Sequence, residues 1–101
     1  MDKLEQISFE IISNVGVARS MYIEAIQIAK SGDFNKALEL ISEGEAIFVK
    51  GHKAHAELIA AEANGEPTKM NLLLTHAEDQ LMSAEAFAII AREFIDVYKT
   101  R

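Results

Sequence analysis

Three residues within one helical turn carry the side chains most capable of chemistry: His76, Asp79 and Gln80, set in Leu72-Leu73-Leu74-Thr75-His76-Ala77-Glu78-Asp79-Gln80-Leu81-Met82. Residues three and four apart on a helix share a face, so the imidazole of His76 looks toward the carboxylate and the amide. Either neighbour can fix one ring nitrogen and leave the other as an acceptor. An imidazole held in this way is a nucleophile at neutral pH. It can take a phosphoryl group reversibly, because the phosphorus–nitrogen bond it forms is labile. A lone histidine among leucines reads more simply as a satisfied core residue. Here the neighbours at +3 and +4 favour the chemical reading.

Asp79 lies between Leu72/Leu73 and Phe87/Ile90 on the His76 face, a setting that becomes buried if the chain self-associates. Several copies of a buried carboxylate meeting at a symmetry axis repel one another. They need protons or a shared cation, and oxygen ligands favour a hard ion such as Mg²⁺. Glu78 falls off that face and reads as a surface charge. His52 and His55 form a second i, i+3 pair, but no acid stands at i+4 to complete a chelate, so a metal role there is disfavoured.

Composition narrows the remaining chemistry. There is no cysteine, which removes thiol nucleophiles, disulfides and Cys-based zinc sites and fits a reducing compartment. The net charge is −6, and the ten Lys and Arg residues are scattered without a run or stripe, which argues against nucleic acid as a partner. The longest apolar run, from Ala86 to Ala91, falls far short of the roughly 20 residues that cross a bilayer, and Met1-Asp2-Lys3-Leu4-Glu5-Gln6 has no secretion-signal character. The expectation is a cytosolic protein.

The elements that must position these groups are three long helices, expected over about residues 3–31, 34–64 and 69–99 of a single domain spanning 1–101. Asp2 and Glu5 resemble a capping box, and Leu4, Ile7, Ile11, Val15, Ala18, Tyr22, Ala25, Ile26 and Ala29 then recur at helical spacing. Gly16 interrupts this helix and suggests the close approach of a neighbouring backbone. Lys30-Ser31-Gly32-Asp33 supplies a basic last turn, a glycine for the left-handed position and the next N-cap, so the second helix turns back antiparallel.

The second helix has a broad apolar face that includes Ala37, Ile41, Gly44, Gly51 and His55. Gly44 and Gly51, seven apart, mark close helix contact. Asn64-Gly65-Glu66-Pro67-Thr68 breaks the chain again, with Thr68 placed to cap the third helix. That helix carries two apolar stripes. One runs Met70, Leu74, Ala77, Leu81, Ala84, Ala88, Ala91 and Ile95; the other includes Leu72, Leu73, His76, Asp79, Gln80, Phe87, Ile90, Phe94 and Val97. One stripe suffices for a core, so the other needs a partner, and self-association is expected. The fold class is all-α, an antiparallel three-helix bundle.

Together these stretches resemble the enzyme IIA component of the lactose/cellobiose class of the bacterial phosphoenolpyruvate-dependent sugar phosphotransferase system. The resemblance rests on Gly16-Val17-Ala18-Arg19-Ser20, Ala29-Lys30-Ser31-Gly32-Asp33-Phe34, Gly51-His52-Lys53 and above all His76-Ala77-Glu78-Asp79-Gln80-Leu81-Met82. It implies a cytosolic homotrimer whose His76 receives a phosphoryl group from the carrier protein HPr. His76 would then pass the group to a cysteine of the IIB component, while IIC carries the sugar through the membrane. It also implies that Asp79 holds a divalent cation, Mg²⁺ by chemistry, on the threefold axis. The chain departs from the family's commonest wording, His-Ala-Gln-Asp-His-Leu-Met, at Glu78 and Gln80, and His55-Ala56 stands where many relatives carry Gln-Thr.

The reading is therefore a phosphocarrier, a phosphotransferase component that works through a transient phosphohistidine and is not a complete enzyme alone. His76 is the nucleophile, Asp79 the cation ligand and Gln80 a hydrogen-bond partner for phosphate or imidazole. The sugar would be of the β-glucoside or lactose type, with cellobiose favoured. The alternative is an oligomeric metal-binding helical scaffold without phosphotransfer. Carboxylate bundles of that kind use Glu-x-x-His motifs, which this chain lacks.

Overall fold

Each helix begins at a short polar side chain that accepts a backbone N–H left unpaired at the helix start. The computed structural model describes residues 1–101. Its helices are α1 (Lys3–Lys30), α2 (Phe34–Ala63) and α3 (Leu72–Lys99). Asp2 accepts from the Glu5 N–H at 2.8 Å, Asp33 from that of Lys36 at 3.1 Å and Asn71 from that of Leu74 at 2.8 Å. At the first turn Gly32 adopts φ +94°, while Ser31 and Gly32 donate to the carbonyls of Ile28 and Ala29.

The third start differs from the sequence expectation. α3 begins at Leu72, three residues after the expected Lys69, and its cap is Asn71 instead of Thr68. Asn71 has extended backbone, and its own carbonyl also accepts from the Thr75 hydroxyl at 2.8 Å. The asparagine side chain therefore outcompetes the threonine for the role of cap, a preference that residue type already favours.

The bundle measures 51 × 24 × 20 Å, with α1 packed along both α2 and α3 and the latter two meeting less extensively. Its interior is built largely from small side chains. One core cluster gathers Ala18, Tyr22, Ala25, Ala37, Ile41, Ala88, Ala91 and Ile95; the other gathers Ile7, Ile11, Val15, Ala54, Ala77, Leu81 and Ala84. Alanine lets helix axes approach, and glycine allows more. A Cβ at Gly44 would stand 2.8 Å from the Tyr22 ring, and one at Gly51 would stand 2.8 Å from Val15 Cγ1. The expectation for Gly16 is overturned within the chain, since a Cβ there would meet nothing within 4 Å. Gly16 follows buried Val15 by one residue, which rotates it about 100° off the packed face.

No helix is long and apolar enough to cross a membrane.

Candidate functional site on the third helix

The first stripe of α3 fills the core from Leu74 onward: Leu74, Ala77, Leu81, Ala84, Ala88, Ala91 and Ile95 are all buried, whereas Met70, expected in the same stripe, precedes the helix and is exposed. The second is left without a cover. Leu72 is 86% exposed and Val97 52% exposed, with Ile90 and Phe94 also open to solvent. His76 and Asp79 are exposed within this stripe, and Gln80, turned further toward the bundle, is half-buried. The side of α3 that displays the imidazole is thus an uncovered apolar face, about seven turns of helix from Leu72 to Val97 with an imidazole and a carboxylate near one end.

His76, Asp79 and Gln80 share this side of the helix, but no hydrogen bond joins the imidazole to either neighbour within the chain. All side-chain hydrogen bonds of α3 run elsewhere: Thr75 and Thr100 bond backbone carbonyls, Glu78 bonds His55, and Arg92 bonds Glu45. The expected fixing of one ring nitrogen by Asp79 or Gln80 is therefore absent from the single chain. Asp79 makes no ion pair, and no three His, Cys, Asp or Glu side chains converge as a metal-binding group. A cation on Asp79 would take its further ligands from other copies.

Glu78 is the residue whose role the sequence reading missed. It is not a free surface charge: its Oε2 lies 2.6 Å from His55 Nε2, in a contact where both side chains are mostly shielded. His55 stands on α2 and Glu78 on α3, so the pair ties the helices together beside the first turns of α3. Two of the four positions at which the chain departs from the family's commonest wording, 55 and 78, are partners. His52, by contrast, is exposed beside the Phe48 ring, with centroids 6.0 Å apart, and gains no second ligand.

A second polar tie crosses between the same helices. Arg92 Nη2 lies 2.5 Å from Glu45 Oε1, and both groups are about half open to solvent. Near them is Tyr22, fully buried in the core. Burial pushes its hydroxyl up to about 12, Glu45 adds to the rise, and Arg92 opposes it. This cluster stands well along the bundle from His76 and serves the fold.

The chain is thus a bundle of three long helices that presents the His76 imidazole on an uncovered face of the third. The family model described as PTS system, Lactose/Cellobiose specific IIA subunit, matches residues 6–99. A lichenan-specific phosphotransferase enzyme IIA component from Bacillus subtilis is 42% identical over 98 residues, 97% of this chain and 89% of the relative. The lactose-specific EIIA component from Staphylococcus epidermidis is 34% identical over 97% of this chain and 94% of its own length. The crystal structure of a PTS cellobiose-specific enzyme IIA from Bacillus anthracis superposes with a TM-score of 0.94 at 43% identity, covering 99% of this chain and 92% of that one. The chain belongs to the lactose/cellobiose-specific IIA family of the sugar phosphotransferase system. It is a phosphocarrier component of that transport system.

Proposed function

We propose that His76 is the phosphoryl acceptor of this carrier, taking the group from HPr and handing it to a IIB component in the cytosol. The observation that carries this reading is the placement of the family-matching histidine, exposed in the second turn of α3 near one end of the bundle, where a partner protein can reach it. In the first step a His76 ring nitrogen attacks the phosphorus held by the donor. The donor's bond to phosphorus breaks and its electron pair stays with the donor. In the second, a cysteine thiolate of IIB attacks the same phosphorus and His76 leaves. Phosphoryl transfer of this kind asks the protein mainly for positioning and charge stabilisation. Half-buried Gln80 lies one turn from His76 and is suited to donate a hydrogen bond to the bound group.

The carrier works as a homotrimer in this reading. Support comes from the stripe of Leu72, Ile90, Phe94 and Val97, which one chain leaves in water, and from the family resemblance, which supplies the number three. Asp79 stands in that stripe, so three copies would bring three carboxylates together. A hard divalent cation, Mg²⁺ by its preference for oxygen ligands, would offset their repulsion there and hold the assembly. The cargo is a β-glucoside or lactose-type sugar, cellobiose first, in keeping with the lichenan, lactose and cellobiose named for the relatives.

Incubation with phosphoenolpyruvate, enzyme I and HPr tests the acceptor assignment. Wild type gains one acid-labile phosphoryl group per chain by intact mass, and folded His76→Ala gains none. Equal labelling of both proteins contradicts the assignment.

A further inference from the structure

The first turns of α3 meet α2 through small buried side chains, with Ala54 and Ala77 in one core cluster, and through the polar contact of His55 with Glu78. Beside that pair is an open groove of about 50 Å³, bordered also by Leu58, Glu62, Met70 and Leu74. The polar pair is the side-chain hydrogen bond that spans the seam at this groove. The only other side-chain tie across the seam, Arg92 to Glu45, stands fourteen residues along α3 from Glu78, about 21 Å away. That second tie is more exposed and holds the far end of the helix.

Glu78 follows His76 by two residues, which puts the two side chains roughly 160° apart around the helix. The clasp grips the back of the turn whose front displays the nucleophile. We infer that His55, acting through Glu78, is a positioning residue for His76. It sets the seating of the first turns of α3 against α2 and thereby the approach of the imidazole to an incoming phosphoryl group. The inference rests on the acceptor role of His76 proposed above.

The geometry explains why a hydrogen bond on the far side of a helix matters to transfer. In-line attack depends on the position of the nucleophile to about 1 Å, and such a displacement can cost up to about a hundredfold in rate. The histidine is not itself needed for the clasp, only a donor at that reach. A glutamine at position 55 can present an amide N–H to the Glu78 carboxylate, whereas a leucine fills similar volume and leaves the carboxylate without its partner.

The test compares wild type, His55→Leu and His55→Gln in single-turnover phosphorylation by phospho-HPr, alongside hydrogen exchange of the α3 amides. The expected result for His55→Leu is a loss of about threefold to tenfold in the rate at saturating phospho-HPr, with the half-saturating concentration unchanged. Exchange should quicken for the amides of residues 74–80 and stay as in wild type for residues 88–98. His55→Gln should restore both the rate and the protection. Wild-type rates in His55→Leu, or a loss that His55→Gln shares in full, overturn the positioning role. A uniform rise in exchange along α3 also overturns it, since that marks a general loss of stability. If wild type accepts no phosphoryl group while HPr labels a control acceptor, the acceptor reading itself fails, and this inference with it.

Discussion

Replacing Gly44 by alanine should destabilise the bundle even though alanine is the better helix former. In an exposed helix interior the exchange gains about 1 kcal/mol through the loss of glycine's backbone freedom. At position 44 the new methyl carbon would stand 2.8 Å from Tyr22 Cε1, 3.2 Å from Cδ1 and 3.4 Å from the Ala18 carbonyl oxygen. The Tyr22 ring is 1% exposed and packed in the larger core cluster, so it has no open space to move into. Overpacking of this kind costs about 1–3 kcal/mol, and the ring's confinement argues for the upper part of that range. The net expectation is a loss of about 1–2 kcal/mol, or a fall in Tm of roughly 5–10 °C for a chain of this size.

Gly16→Ala supplies the control, because its Cβ would meet nothing within 4 Å and the propensity gain of up to about 1 kcal/mol should emerge unopposed. Thermal and urea unfolding of the three proteins, at one concentration and one verified oligomeric state, decides the matter. A Tm for Gly44→Ala that rises together with that of Gly16→Ala would refute the packing argument.

Two further outcomes follow from other parts of the molecule. Tyr22, held at about 12 against an ordinary 10.0, keeps its proton better in the folded chain than in the unfolded one. Its contribution is therefore complete below pH 10 and lost as pH climbs toward 12, about 1 kcal/mol by pH 11. Urea midpoints at pH 9 and 11 should fall more steeply for wild type than for Tyr22→Phe, and equal slopes would contradict the assigned burial effect. If Asp79 binds a shared cation, sedimentation velocity should show a wild-type trimer that chelator loosens and an Asp79→Ala assembly indifferent to chelator. A wild-type trimer equally indifferent would remove the cation from the account.

The helices and their inward faces were legible because helical periodicity is a local signal. Val15, Ala18, Tyr22 and Ala25 recur at three and four, and all four are buried. Gly44 and Gly51 were correctly placed at close contacts because they lie in register with Ala37, Ile41 and Ala54. Gly16 was misplaced because interrupting a helix says nothing about direction; its register, one step past Val15, already turned it away from the core. The start of α3 was set too early because Thr68 and Asn71 are both plausible caps, and the choice depends on which side chain reaches a free N–H.

The candidate site was legible to a different degree. The common face of His76 and Asp79 follows from their spacing, and the structure leaves that face uncovered. Whether a carboxylate reaches the imidazole depends on rotamers and on neighbours that spacing does not specify, and in the single chain none does. The His55–Glu78 contact lay outside the sequence argument because it joins residues 23 apart on different helices. Only the register between α2 and α3 brings them together. That register emerges from packing of the whole bundle and is carried by no local pattern.

The central claim is that one histidine of three carries the phosphoryl group. Tandem mass spectrometry under neutral or mildly alkaline conditions, applied to wild type loaded through phosphoenolpyruvate, enzyme I and HPr, locates the group directly. The account predicts phosphate on His76, with His52 and His55 unmodified. A phosphoryl group found on His52 or His55, or on no histidine of a labelled chain, would contradict it.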